Sequence, residues 1–159
     1  MSLNKRKNIF LTSIFLLVFF LIFNPVKSQE LKIVDGDTIY LNGEKIRFTG
    51  IDTPELKQTC IKHGTKDQCG LTAKKILIDK IGNNIVECIV EGKDQYKRTL
   101  AECFVNNESL SSYLVRSGYA FAYRKYSKKF IEDENYAKIN QLGMWSMKFD
   151  YPWDFRKNN

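Results

Sequence analysis

The 159-residue chain carries 25 Lys and Arg against 18 Asp and Glu, a formal net charge of +7, with one histidine and four cysteines. Lys5, Arg6, Lys7 and Lys27 flank the uncharged run Ile9 to Phe23, so from Gln29 onward the balance is 21 basic against 18 acidic side chains, and net charge is no argument for a nucleic-acid or membrane partner. That remainder is long enough for one core and too short for two full-sized domains, and with no Cys-x-x-Cys pair and only His63 it offers no zinc site.

Residues 1–28 read as a secretory signal peptide: a basic start, an apolar run, then Asn24-Pro25-Val26-Lys27-Ser28, with cleavage expected before Gln29. As a helix the run would rise roughly 22 Å, short of the roughly 30 Å hydrocarbon core, which favours cleavage over the alternative of a retained membrane anchor. Residues 29–159 are then the mature domain.

Short strands are expected over Leu31 to Val34, Thr38 to Leu41 and Lys45 to Ile51, with Asn42-Gly43 as a two-residue hairpin turn. Asp37 then opens a strand and Asp52 leaves one. Asp35 either supports Asp37 or caps the turn at Gly36. Pro54 to Gln68 shows no apolar periodicity and reads as a loop with His63-Gly64 at its tip; a lone histidine there is a solvated loop residue. Ala73, Leu77 and Ile81 recur every four residues, predicting a helix over Leu71 to Ile81 that Gly82 ends.

Ile85 to Glu91 and Thr99 to Val105 read as an antiparallel hairpin turning at Gln95 and Tyr96. Cys88 and Cys103 lie symmetrically about that turn, within disulfide reach, which leaves Cys60 for Cys69. Ser109 suits the N-cap of a helix through Arg116, and a last helix is expected from near Ser127 to Gly143 with Ile131, Ala137, Ile139 and Leu142 as its apolar stripe. The tail from Phe149 to Asn159 is aromatic, then basic. Five strands with tight connections, a helix after the third and two helices near the end fit an α+β, mainly β fold: a five-stranded OB-fold barrel with about three flanking helices.

Against this frame the chemistry gathers in Asp35-Gly36-Asp37-Thr38, Ile51-Asp52-Thr53-Pro54-Glu55, Arg47 and Arg98. Asp37 and Asp52 are hard oxygen ligands for a divalent cation, and Glu55 suits orienting or deprotonating a water. Arg47 and Arg98 suit a phosphate, because a guanidinium fork binds two oxygens and keeps its proton near neutrality. The local cations Lys93, Lys97, Arg98, Arg124, Lys125, Lys128 and Lys129 form a basic cluster that is a candidate for nucleic acid or merely a solvated face.

In this order, Asp-Gly-Asp-Thr, Arg-x-x-Gly-Ile-Asp-Thr-Pro-Glu and Asp-Gln-Tyr-Lys-Arg resemble the staphylococcal nuclease (thermonuclease) family over Leu31 to Trp145. The resemblance implies side-chain calcium ligands at Asp37 and Asp52, a backbone carbonyl ligand at Thr53, and catalytic residues at Arg47, Glu55 and Arg98. It further implies substrate contacts at Tyr96 and Tyr123 and hydrolysis of DNA or RNA to 3′-phosphate ends with Ca²⁺ as cofactor; with the signal peptide, the expected protein is a secreted or periplasmic monomer with no obligate protein partner. Lys97 stands where the family usually has glycine. The competing expectation is a non-catalytic nucleic-acid- or protein-binding module on the same barrel, membrane-anchored if residues 9–23 are retained. Keeping all of Asp37, Arg47, Asp52, Glu55 and Arg98 argues against it.

Overall fold

A computed structural model of the chain describes residues 28–159. The expected signal peptide, apart from Ser28, lies outside the described residues, and among the described residues no helix is long and apolar enough to cross a membrane.

Three strands open the domain as a meander: β1 (Leu31–Ile33), β2 (Thr38–Leu41) and β3 (Glu44–Phe48). Asn42 and Gly43 between the last two sit at φ 50° and 83°, the pair of positive values a tight hairpin turn demands. The strand expected through Ile51 stops at Phe48. Gly50 turns the chain at φ 71°, a Cβ there would lie 3.0 Å from the Phe130 ring, and the resumed strand β4 (Ile51–Asp52) leaves the sheet for a different partner.

The segment expected as a loop is ordered into a second hairpin, β5 (Cys60–Lys62) and β6 (Thr65–Asp67). Its tip, His63 and Gly64 at φ 48° and 81°, uses the same turn as Asn42-Gly43, and the Cys60–Cys69 disulfide closes its base. Helix α1 (Cys69–Ile81) follows, burying Ala73, Leu77 and Ile81 as their spacing requires. Strands β7 (Glu87–Lys93) and β8 (Thr99–Val105) form the expected hairpin with Cys88 opposite Cys103, and these two are bonded. The sheet order is β1-β2-β3-β8-β7, with β3 and β8 parallel and the other neighbours antiparallel, and a short β9 (Glu108–Ser109) extends beside β8. At the outer strands, the Gln29 side-chain amide donates to the Val86 carbonyl at 2.7 Å and accepts from its N–H at 2.8 Å, tying the approach to β1 to the start of β7. The architecture is α+β, mainly β, consistent with the OB-fold.

Ile39, Ile46, Phe48 and Ile51 meet Leu77 and Ile81 from α1 and Leu110 and Leu114 from α2 (Leu110–Arg116) in one core. Ser109 caps α2 by accepting from the Ser112 N–H. Strand β10 (Phe121–Ala122) pairs with β4. The last expected helix is shorter than its apolar pattern: α3 spans Ile131–Ile139, Ile139 is 81% exposed, and Gln141 and Gly143 at positive φ turn the chain into a 3-10 segment, Gly143–Ser146. The tail is packed and adds a fourth helix, α4 (Pro152–Asn158), to the three expected. Phe149, Tyr151 and Trp153 gather with Trp145 around Phe121, the residue paired with Asp52.

Candidate active site

Sheet register brings the first half of the site together. Thr38 is opposite Arg47 on β2 and β3, so Asp37, one residue earlier, meets the Arg47 side chain, and Arg47 Nη1 forms an ion pair with Asp37 Oδ1. The second Asp37 oxygen accepts from both the N–H and the hydroxyl of Thr53, each at 2.8 Å. Arg47 Nη2 donates to Asp52 Oδ1 at 2.8 Å and to the Ile51 carbonyl at 3.4 Å. A single guanidinium therefore spans two buried carboxylates that lie fifteen residues apart in the chain. Burial draws the Arg47 pKa down, against the charge and hydrogen bond of Asp52, and nearby Arg98 lowers it further. Asp35 accepts the Asp37 N–H at 3.1 Å, the turn-capping role.

The second half comes from the far end of the chain. Arg156 on α4 lays a fork on Asp52, Nη1 to Oδ1 at 3.1 Å and Nη2 to Oδ2 at 2.7 Å, and Nη1 also donates to Glu55 Oε1 at 2.7 Å. The hydrogen bonds that Arg156 donates to Asp52 hold its proton more firmly than usual. Charges now alternate, Asp37, Arg47, Asp52, Arg156, Glu55. Sequence reasoning missed Arg156; its only signal was a basic end to an aromatic tail, with Pro152 at the first turn of a short helix.

Arg98 is held differently. Asp94 accepts from the Tyr96 and Arg98 N–H groups, each at 2.9 Å, and from Arg98 Nε at 2.6 Å, so the β7–β8 turn aims its own arginine. Burial works to raise the Asp94 pKa, but these bonds from Arg98 and Tyr96 bring it below the usual carboxylate value. Lys97 does adopt the left-handed conformation, φ 63°, that glycine would take without strain. Tyr96 is exposed on this turn with the Arg98 guanidinium 5.6 Å from its ring. Tyr123 follows β10, its ring stacked on Trp153 at 5.7 Å with 5° between planes. Exposed His63 stands at the tip of the second hairpin. In the basic cluster, Arg124 and Lys129 are paired with Glu134 and Glu102.

Among the described residues no group of three or more His, Cys, Asp or Glu is gathered to hold a metal. The donor chemistry nonetheless suits a hard cation. Asp37 and Asp52 already converge on one positive group, and with Glu55 they outnumber Arg47 and Arg156 by one charge.

Residues 45–147 match the family described as "Staphylococcal nuclease homologue". An uncharacterized endonuclease of Haemophilus influenzae is 29% identical over 153 residues, covering 89% of this chain and 80% of that protein. Endonuclease YncB of Bacillus subtilis is 30% identical over 125 residues, covering 71% of this chain and 58% of that protein. A probable staphylococcal-like nuclease of rice, CAN3, is 29% identical over 125 residues, 77% of this chain but only 31% of its own length.

Proposed function

From the premise that the chain belongs to the staphylococcal nuclease homologue family and is a nuclease, a phosphodiester hydrolase, we propose that it is an exported, calcium-dependent endonuclease that cuts DNA or RNA to leave 3′-phosphate ends. The observation that carries this reading is the alternating row of three carboxylates and two guanidiniums, which with Glu55 counted holds one surplus negative charge. Asp37, Asp52 and the Thr53 carbonyl would hold a Ca²⁺ ion, whose positive charge would stabilise the negative charge growing on the phosphodiester.

The chain's own groups supply the rest. Arg47 is oriented by its contacts to Asp37, Asp52 and Ile51, which leave part of its donor set for phosphate oxygens. Arg98, aimed by Asp94, serves the same phosphate, and both favour the charge of the transition state. Glu55, about two-fifths exposed, receives the proton of the attacking water. Tyr96 and Tyr123 flank the substrate. Two disulfides support an oxidising destination, as export requires.

The purified protein should shorten both plasmid and single-stranded DNA with Ca²⁺ and stop when a chelator is added. Its products should prime a polymerase only after phosphatase treatment, the mark of a 3′-phosphate. Retardation of a labelled oligonucleotide without shortening would establish the binding-module reading instead, and cleavage that survives the chelator would remove the metal.

A further inference from the structure

Resting on that reading of the site, we propose that Arg156 is a positioning residue for the reaction: through its fork on Asp52 and its bond to Glu55, the C-terminal helix sets where Glu55 stands relative to the buried acids. Glu55 lies on an irregular segment after β4, outside any strand or helix. No strand or helix aims its carboxylate. The only side-chain partner found for its carboxylate among the described residues is Arg156, and the same Nη1 atom serves Asp52.

Independently of Arg156, one further link fastens the tail to this segment and two more seat it against β5 and the residue after β10. Buried Gln58 accepts the Glu55 N–H at 3.2 Å and donates to the Asp150 carbonyl at 2.6 Å, joining the turn after Glu55 to the residues just before α4. Ile61 and Lys148 exchange backbone hydrogen bonds at 2.9 Å in each direction. Trp153, on α4 itself, stacks between Tyr151 and Tyr123, at 4.6 and 5.7 Å. From the other side the N-terminus of α1 presses on Glu55: a Cβ at Gly70 would fall 1.8 Å from the Glu55 carbonyl oxygen, so only glycine admits that approach. The helix carrying Arg156 is thus rigidly seated, and the side chain it presents is a fork, which fixes direction as well as charge. Residue 156 lies beyond the matched residues 45–147, so this support is built from chain outside the family match.

The test compares the full chain with Arg156→Gln and Arg156→Lys in initial rates on DNA, and in hydrogen exchange of the metal-free proteins. A displaced Glu55 should cost roughly tenfold to a hundredfold in kcat while KM for DNA stays within about twofold, and lysine, which cannot form the fork, should rescue little of it. Amide exchange should quicken over residues 52–58 but not over 152–158. An unchanged kcat, or a raised KM with kcat kept, would overturn the proposal, the latter by making Arg156 a substrate contact. A gain in activity would overturn it by making α4 an inhibitory latch. Exchange that quickens throughout 152–158 would also overturn it, because Arg156 would then merely hold the tail. If the unaltered chain cleaves nothing, the functional reading falls, while the exchange over 52–58 still decides whether Arg156 positions that segment.

Discussion

Two clusters of buried charge lie back to back along β10, and they are built to opposite ends. Opposite Phe121 is Asp52, with the row of acids and arginines described above. One residue on, the Ala122 N–H donates to Glu134 Oε1 at 3.1 Å, while Arg124 and Lys138 donate to Oε2 at 2.6 and 3.0 Å. Glu134 is one acid with two cations and a backbone donor. It has no excess negative charge to offer, and its partners come from the same short stretch of chain. The Asp37–Asp52 cluster has three acids to two cations, and draws them from the residue before β2, from β3 and β4, from the segment after β4 and from α4. A satisfied ion cluster stabilises a fold; one left with surplus charge at an accessible edge is ready to bind a counter-ion.

That contrast breaks if the clusters respond alike to mutation. Arg47→Lys should act mainly on rate, lowering kcat by about a hundredfold to a thousandfold since a point charge cannot replace the fork, while the retained charge between the two buried acids limits the loss of stability. Wild-type kcat in that variant would remove Arg47 from the transition state. Glu134→Gln should do the reverse, costing about 2 to 3 kcal/mol in urea unfolding by unpairing Arg124 and Lys138, with kcat near wild type. The same variant has a pH signature. Burial acts to raise the Glu134 pKa, but Arg124 and Lys138 outweigh it and leave it below the ordinary value. Its stabilisation is therefore complete above the unfolded-chain value of about 4.3 and is lost as pH falls through the lower folded value. Glu134→Gln should flatten the acid limb of stability against pH; an unaltered limb would show that other carboxylates set it.

Asp37, Arg47 and Asp52 were readable because they lie within one hairpin and its exit, where turn chemistry and alternation determine the neighbours. Cys88 and Cys103 were readable for the same reason, from symmetry about a turn. The β5–β6 hairpin was not, since its strands Cys60–Lys62 and Thr65–Asp67 are short, mostly polar and carry no alternation. Ile139 and Leu142 continue a helical stripe on paper, but the positive φ of Gln141 has no strong local signal. Arg156 and Glu55 are 101 residues apart, and a seven-residue helix is too short to show a period. Long-range ion pairs of this kind are determined by packing of the tail's aromatic rings, which local patterns do not contain.

A smaller effect should separate the two sides of β10 again. The Cys60–Cys69 bridge staples the segment beyond Glu55, so Cys60→Ser with Cys69→Ser should cost roughly 2 to 3 kcal/mol on the chain-entropy account and also reduce kcat. Glu134→Gln costs stability alone. Equal kcat in the double serine variant would show that Glu55 is held without the bridge.

The smallest effect belongs to Lys97. At φ 63° its Cβ crowds the backbone at a cost of order 1 kcal/mol, but glycine there would free the unfolded chain by about 0.5 to 1 kcal/mol. Lys97→Gly should therefore move stability by less than about 0.5 kcal/mol, near the limit of a denaturation measurement. Its effect on rate should be as slight, because Asp94 already fixes both the backbone and the guanidinium of Arg98. A several-fold rise in kcat would mean that lysine misdirects Arg98, and the arginine aimed by its own turn would then be less well set than the one clamped between two acids.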